Sequence, residues 1–130
     1  MNTKKFAEKF IKAEDEAWYK GNVDALDEVE HENVVYHFPG FPDVNGRDAH
    51  KQFITAARKA LSDIKINIKY LMGAGDLVGF LYTDSKRSTG ELFGQPPTGK
   101  VIAANELWLF HIKGGKVIEG WMFGTNTISD

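Results

Sequence analysis

Four side chains have the type and the setting for proton transfer: Glu14, His37, His50 and Glu119. Glu14 is the only charge inside the apolar sector of a helical segment. An acid there is costly unless it is paired or used. If buried, its pKa rises toward neutrality, which suits a general acid or base. The plain alternative is a helix ion pair with an outward-tilting side chain. Glu119 stands among aromatic residues and follows the same logic, its alternative being an edge carboxylate paired to Lys or Arg at an interface. His37, on a strand, and His50, at the margin of a helical apolar stripe, are the histidines expected to face inward, where either can polarise an oxygen or relay a proton. A single inward histidine is more often a hydrogen-bonded structural residue.

Other chemistries find little footing. There is no cysteine, hence no disulfide or thiolate nucleophile, and the four histidines show no ligand spacing, so no metal is expected. No dinucleotide fingerprint occurs. Pro96-Pro97-Thr98-Gly99 lacks the glycine spacing and following helix of a phosphate loop and reads as a rigid turn. No cofactor is expected.

The elements that must position these residues follow from periodicity. Residues 3–20 predict a helix, capped by Thr3 and stopped at Gly21-Asn22. Phe6, Phe10, Ala13 and Ala17 form its ridge, flanked by Ala7, Ile11 and Trp18. A short helix spans roughly 23–29, residues 33–38 read as a strand, and residues 47–61 as a third helix with Ala49, Phe53, Ala56, Ala57 and Ala60 on its stripe. From Ile64 the period becomes two, predicting strands at 64–70, 77–85, 101–112 and 116–123, the last two joined by a Gly114-Gly115 hairpin. Helices first and a mostly antiparallel sheet afterwards argue an α+β fold.

The 130 residues suit one domain, 1–130. With 42% hydrophobic and 12% aromatic residues it can bury a sizeable core. A net charge of −2 with scattered basic residues argues against nucleic-acid binding. No apolar run reaches membrane-span length and no signal core opens the chain, so a cytoplasmic protein is the expectation.

Several stretches carry a family likeness. They are Ala17-Trp18-Tyr19-Lys20-Gly21-Asn22 with Asp24-Ala25-Leu26, Tyr36-His37-Phe38-Pro39-Gly40, and Gly46-Arg47-Asp48-Ala49. The most specific are Thr89-Gly90-Glu91-Leu92-Phe93-Gly94-Gln95-Pro96-Pro97-Thr98-Gly99-Lys100 and Gly115-Lys116-Val117-Ile118-Glu119-Gly120-Trp121. Together they resemble the SnoaL-like polyketide cyclase family of the nuclear transport factor 2-like superfamily, over nearly the whole chain. The resemblance implies a cone-shaped α+β barrel, with three N-terminal helices packed on a strongly curved, mostly antiparallel sheet. It also implies a ligand pocket under that sheet and a homodimer through it. The superfamily includes aldol cyclases, dehydratases, isomerases and epoxide hydrolases alongside proteins that only bind; its cyclases use a pocket carboxylate as acid/base. Three departures weaken a direct carry-over: Phe38 stands where an acid often follows the His, Gly120 where a His often precedes the last Trp, and Trp108 at an often polar position.

Pairing Ile112 with Val117 across the hairpin places Phe110 opposite Glu119 and Trp108 opposite Trp121. Glu106, Trp108, Phe110, Val117, Glu119, Trp121 and Phe123 then share one face, and a one-residue slip would exchange one strand's assignments. Glu106 lies about 13 Å along the strand from the partner of Glu119, too far for a paired-carboxylate arrangement. Which face lines a pocket is left open. Trp18, Phe38, Phe41, Phe53, Phe80, Tyr82, Trp108 and Trp121 are candidate wall residues, since core and pocket wall merge in such a fold. The expectation is a pocket protein for a small hydrophobic ligand, acting without cofactor as a cyclase, lyase or isomerase on a carbonyl substrate. Glu14 or Glu119 would move the proton and His37 or His50 assist. The alternative is a non-catalytic apolar-ligand-binding or association module.

Overall fold

The computed structural model describes residues 2–130. Helix α1 (Thr3–Lys20) is followed by a 3₁₀ turn (Val23–Glu28), strand β1 (Glu30–His37), a two-residue strand β2 (Val44–Asn45) and helix α2 (Arg47–Ala60). Four long strands complete the chain: β3 (Leu61–Ala74), β4 (Leu77–Ser88), β5 (Val101–Lys113) and β6 (Lys116–Ser129). They form one sheet in the order β2-β1-β6-β5-β4-β3. Every neighbouring pair is antiparallel except β1 and β6, which run parallel. This is the architecture of a cone-shaped α+β fold, with the sheet left unclosed at β2 and β3.

The helices form where the apolar ridge demands a partner. On α1, Phe6, Ala7, Phe10, Ala13 and Ala17 are buried. They pack with Val78, Phe80, Phe110, Ile112 and Val117 from the sheet and Ile54 from α2. Each large side chain so buried contributes roughly 1.5–3 kcal/mol of transfer free energy. The helix cap is Asn2 rather than Thr3: its side chain accepts from Lys5 N at 3.0 Å, while Thr3 already belongs to the helix. The strands outrun the alternating segments, β1 beginning at Glu30 and β6 reaching Ser129, because ladder pairing continues where side-chain alternation fades.

The largest correction is one of register. The hairpin turns at Gly114 (φ 59°) and Gly115 (φ 77°), a conformation that disfavours a side chain, and Ile112 does pair with Val117. A bulge then intervenes: His111 pairs with Glu119, leaving Ile118 as the extra residue. Beyond it Phe110 faces Gly120, Leu109 faces Trp121 and Trp108 faces Met122, so Phe110 does not oppose Glu119, nor Trp108 Trp121. One inserted residue sends Glu119, Trp121 and Phe123 to the outer face, away from Glu106, Trp108 and Phe110. The inner face, under the helices, carries Val78, Phe80 and Tyr82 of β4 opposite Phe110, Trp108 and Glu106 of β5.

Candidate active site

Glu14 follows Phe10 by one helical turn. The Phe10 ring stacks on Phe80 at 5.3 Å and tilts against Phe110 at 4.9 Å, which seats α1 on the inner face. Glu14 is thereby carried toward the next inner pair, Tyr82 and Glu106. Burial pushes its carboxyl up to about 7; the positive charge of His50 opposes the rise, Glu30 adds to it, and the Trp18 indole one turn on opposes it again. The residue keeps part of its accessible surface. That surface belongs to the residue as a whole, whereas its carboxyl is buried.

Facing it is a buried polar group built on β1 and α2. Glu30 is 0% exposed, Tyr36 1% and His50 6%. The Tyr36 hydroxyl donates to Glu30 Oε2, and His50 Nδ1 lies 2.7 Å from the same oxygen, at ion-pair distance but off the hydrogen-bond axis. Both contacts converge on one oxygen, so buried Glu30 Oε1 has no partner. Burial alone would lower the pKa of His50; its contact with Glu30, the Glu30 charge and the Glu14 charge outweigh that and raise it. Burial, then the charge and bond of Glu30, hold the Tyr36 phenol well above its ordinary value. The arrangement sets the His50 imidazole between the Glu30 and Glu14 carboxyls, with the Tyr36 phenol beside it.

Gly120 makes this packing possible. A Cβ there would meet the Tyr36 ring at 2.7 Å, closer than real Cβ contacts, and Phe110 at 3.0 Å, a tight contact. The position where the family likeness often has a histidine holds no side chain here because the Tyr36 ring lies across it.

A second polar group adjoins the first. The Trp108 indole N–H donates to the Tyr82 hydroxyl. Burial, then the charge and bond of Glu106, then Glu14, keep that phenol well above its usual range. Burial likewise raises Glu106, against the bond from Tyr82. Phe38 stacks on Phe53 at 5.5 Å and meets Trp108 edge-on at 5.4 Å, while Phe53 lies 6.5 Å from His50.

The expected site residues thus divide. Glu14 and His50 are brought together, with Trp18, Phe38, Phe53, Tyr82 and Trp108 around them. Phe80 belongs to the core beneath Phe10. His37 and Glu119 form a separate outer-face group: His37 Nε2 is 2.7 Å from Glu119 and Nδ1 2.9 Å from Asp43, with Trp121 stacked on the imidazole at 5.6 Å. Phe41 is 69% exposed on the turn after β1. Sequence reasoning missed Glu30 and Tyr36 and set Glu106 aside. No alternation marks Glu30: Val34 and Tyr36 of the same parity are buried but Glu32 between them and Glu30 is exposed, and the β1–β6 register shifts between Glu30 and Val35. Among the described residues no three His, Asp or Glu side chains are arranged to hold a metal ion, and no helix is long and apolar enough to cross a membrane.

The model of one protein family, described as SnoaL-like polyketide cyclase, matches residues 8–126. Similar solved structures include a SnoaL-like protein from Jannaschia sp. CCS1 (21% identity, TM-score 0.82, covering 94% of this chain and 86% of that one). TsrD from Streptomyces laurentii is similar at 19% identity and TM-score 0.79, over 92% of this chain and 87% of its own. An LEH-like epoxide hydrolase from M. tuberculosis matches at 14% identity and TM-score 0.73, over 96% and 86%. Identities this low establish the shared fold alone. No curated protein matches the chain significantly.

Proposed function

The chain belongs to the SnoaL-like polyketide cyclase family, and on that premise we propose that it is an acid–base enzyme of the cyclase, lyase or isomerase type, working without cofactor on a hydrophobic carbonyl substrate. One observation carries this reading. A carboxyl pushed up to about 7 faces a buried histidine whose positive charge a second carboxylate sustains.

In this scheme the substrate lies between α1 and the inner sheet face, against Phe38, Phe53 and Trp108. Ionised Glu14 takes the proton from the carbon next to the carbonyl, and the C–H electron pair moves into the new C=C bond of an enol. His50 donates its Nε2 proton to the carbonyl oxygen as charge develops there. Glu30 and Tyr36 hold the imidazole in place. The enol then returns its O–H proton to His50 and either attacks a second carbonyl, whose oxygen takes the proton held by Glu14, or expels a β-hydroxyl that leaves as water with that proton, or takes that proton at another carbon; all three reactions share the first step. A pKa near neutrality lets Glu14 both accept and return the proton at ordinary pH.

Exchange in heavy water tests the shared step. With 2-tetralone as probe, the wild type should speed loss of the α-proton signal, and Glu14→Gln should remove about 10²–10⁴-fold of that acceleration. Equal exchange in wild type and variant would end the catalytic assignment. Saturable binding without exchange would favour an apolar-ligand-binding module instead.

A further inference from the structure

The segment between β4 and β5 holds a residue in a conformation its type resists. Leu92 and Gln95 exchange both backbone hydrogen bonds, at 3.0 and 2.9 Å, so Phe93 and Gly94 are the central residues of a two-residue turn. Both have positive φ, 50° for Phe93 and 80° for Gly94. Asn, Asp and Gly are at home there; a bulky aromatic residue is strained. Local turn chemistry therefore does not account for Phe93.

Core packing does not account for it either, because Phe93 is 61% exposed. Its ring centroid lies 5.7 Å from that of Phe53, which in turn neighbours His50 and Phe38. The strained side chain is thus one ring removed from the proton-transfer group, at the solvent end of the aromatic wall. The base of the segment is pinned to the end of α2, where Thr89 and Gly90 N–H groups both donate to Ala60 O at 2.9 Å. The tip that bears Phe93 has no such tie. Strain confined to an exposed aromatic residue beside a site points to a role in ligand contact.

The geometry points to Phe93 as a specificity-determining residue, a strained aromatic gate whose ring closes on the outer part of an aromatic or polycyclic substrate lying against Phe53. This inference rests on the acid–base site lying behind Phe53.

The test pairs stability with affinity, which should move in opposite directions. Phe93→Asn relieves the turn and should raise Tm by about 2–4 °C. It should also weaken 2-tetralone binding by about 3- to 10-fold, followed through the Trp108 indole N–H resonance. Phe93→Leu keeps an apolar contact and the strain, so it should restore most of the affinity with no gain in Tm. Unchanged affinity in Phe93→Asn would overturn the gate and leave the acid–base site standing. A lower Tm would make Phe93 an ordinary packing residue. If millimolar 2-tetralone leaves the Trp108 and His50 resonances of the wild type unmoved, the site reading fails and the gate with it.

Discussion

Replacing Glu14 with Gln should stabilise the protein at alkaline pH and have little effect near pH 5. The native carboxyl titrates at about 7 against an ordinary 4.5, mainly because burial disfavours its charge. A carboxyl whose folded pKa is raised binds its proton more tightly folded than unfolded, so stability falls as pH climbs from 4.5 through 7 and is level beyond. At about 1.4 kcal/mol per pH unit, the burden is under about 1 kcal/mol near pH 5 and roughly 3 kcal/mol at pH 8. Gln is nearly isosteric and carries no such burden. His50 runs in the same direction: its folded pKa is raised, so its contribution is present below 6.5 and lost as pH rises through the folded value. The wild-type curve alone therefore mixes two groups, and the difference between wild type and variant is the informative quantity. Urea unfolding followed by tryptophan fluorescence should show the Glu14→Gln midpoint about 1–3 M higher at pH 8 and nearly coincident near pH 5. Parallel curves across this range would refute the argument, since a carboxyl that is not desolvated imposes no pH-dependent burden.

Glu119→Gln should lower the pKa of His37 read from its ring-proton shifts, because the Glu119 bond is the first cause raising it, while the Glu14 titration stays unchanged. A moving Glu14 midpoint would join the outer group to the site. We further propose a two-fold dimer on the outer sheet face, where Tyr70, Leu81, Leu107 and Phe123 align across four strands and all but Leu81 are exposed. Sedimentation at micromolar concentration should give a dimer and Phe123→Lys a monomer; a monomeric wild type would remove the interface.

What could be read from residues alone was whatever repeats. The α1 ridge and the two-residue alternation of the long strands gave element types and most boundaries, because burial of one face imposes a period. A single bulged residue has no period. Ile118 looks like any other β-branched strand residue, yet it moves Glu119 and Trp121 to the opposite face. Glu14 was visible because it interrupts an apolar sector within its own helix. Glu30 was not, because its partners are Tyr36 on the same strand and His50 on a helix 20 residues away, and only the packed fold brings the three together. Trp108 is a further case: a tryptophan at an often polar position is explained once its indole N–H is seen to donate to Tyr82.

The parallel pairing of β1 with β6 also has a consequence in time. Val35 pairs with Glu119, so the contact closes a loop of more than 80 residues. Apart from the two residues of β2, β6 is the only strand that β1 touches. During synthesis the helices and β1 leave the ribosome well before β6 exists, and β1 must wait as an open edge, the kind of surface that invites misassociation. Pairings of such high sequence separation form slowly, on the scale of milliseconds to seconds. Glu30 and Tyr36 ride on that waiting strand. The Glu30–Tyr36–His50 group is therefore among the last parts of the fold to be assembled, and a lesion that delays this closure would leave it incomplete while the helices and antiparallel hairpins still form.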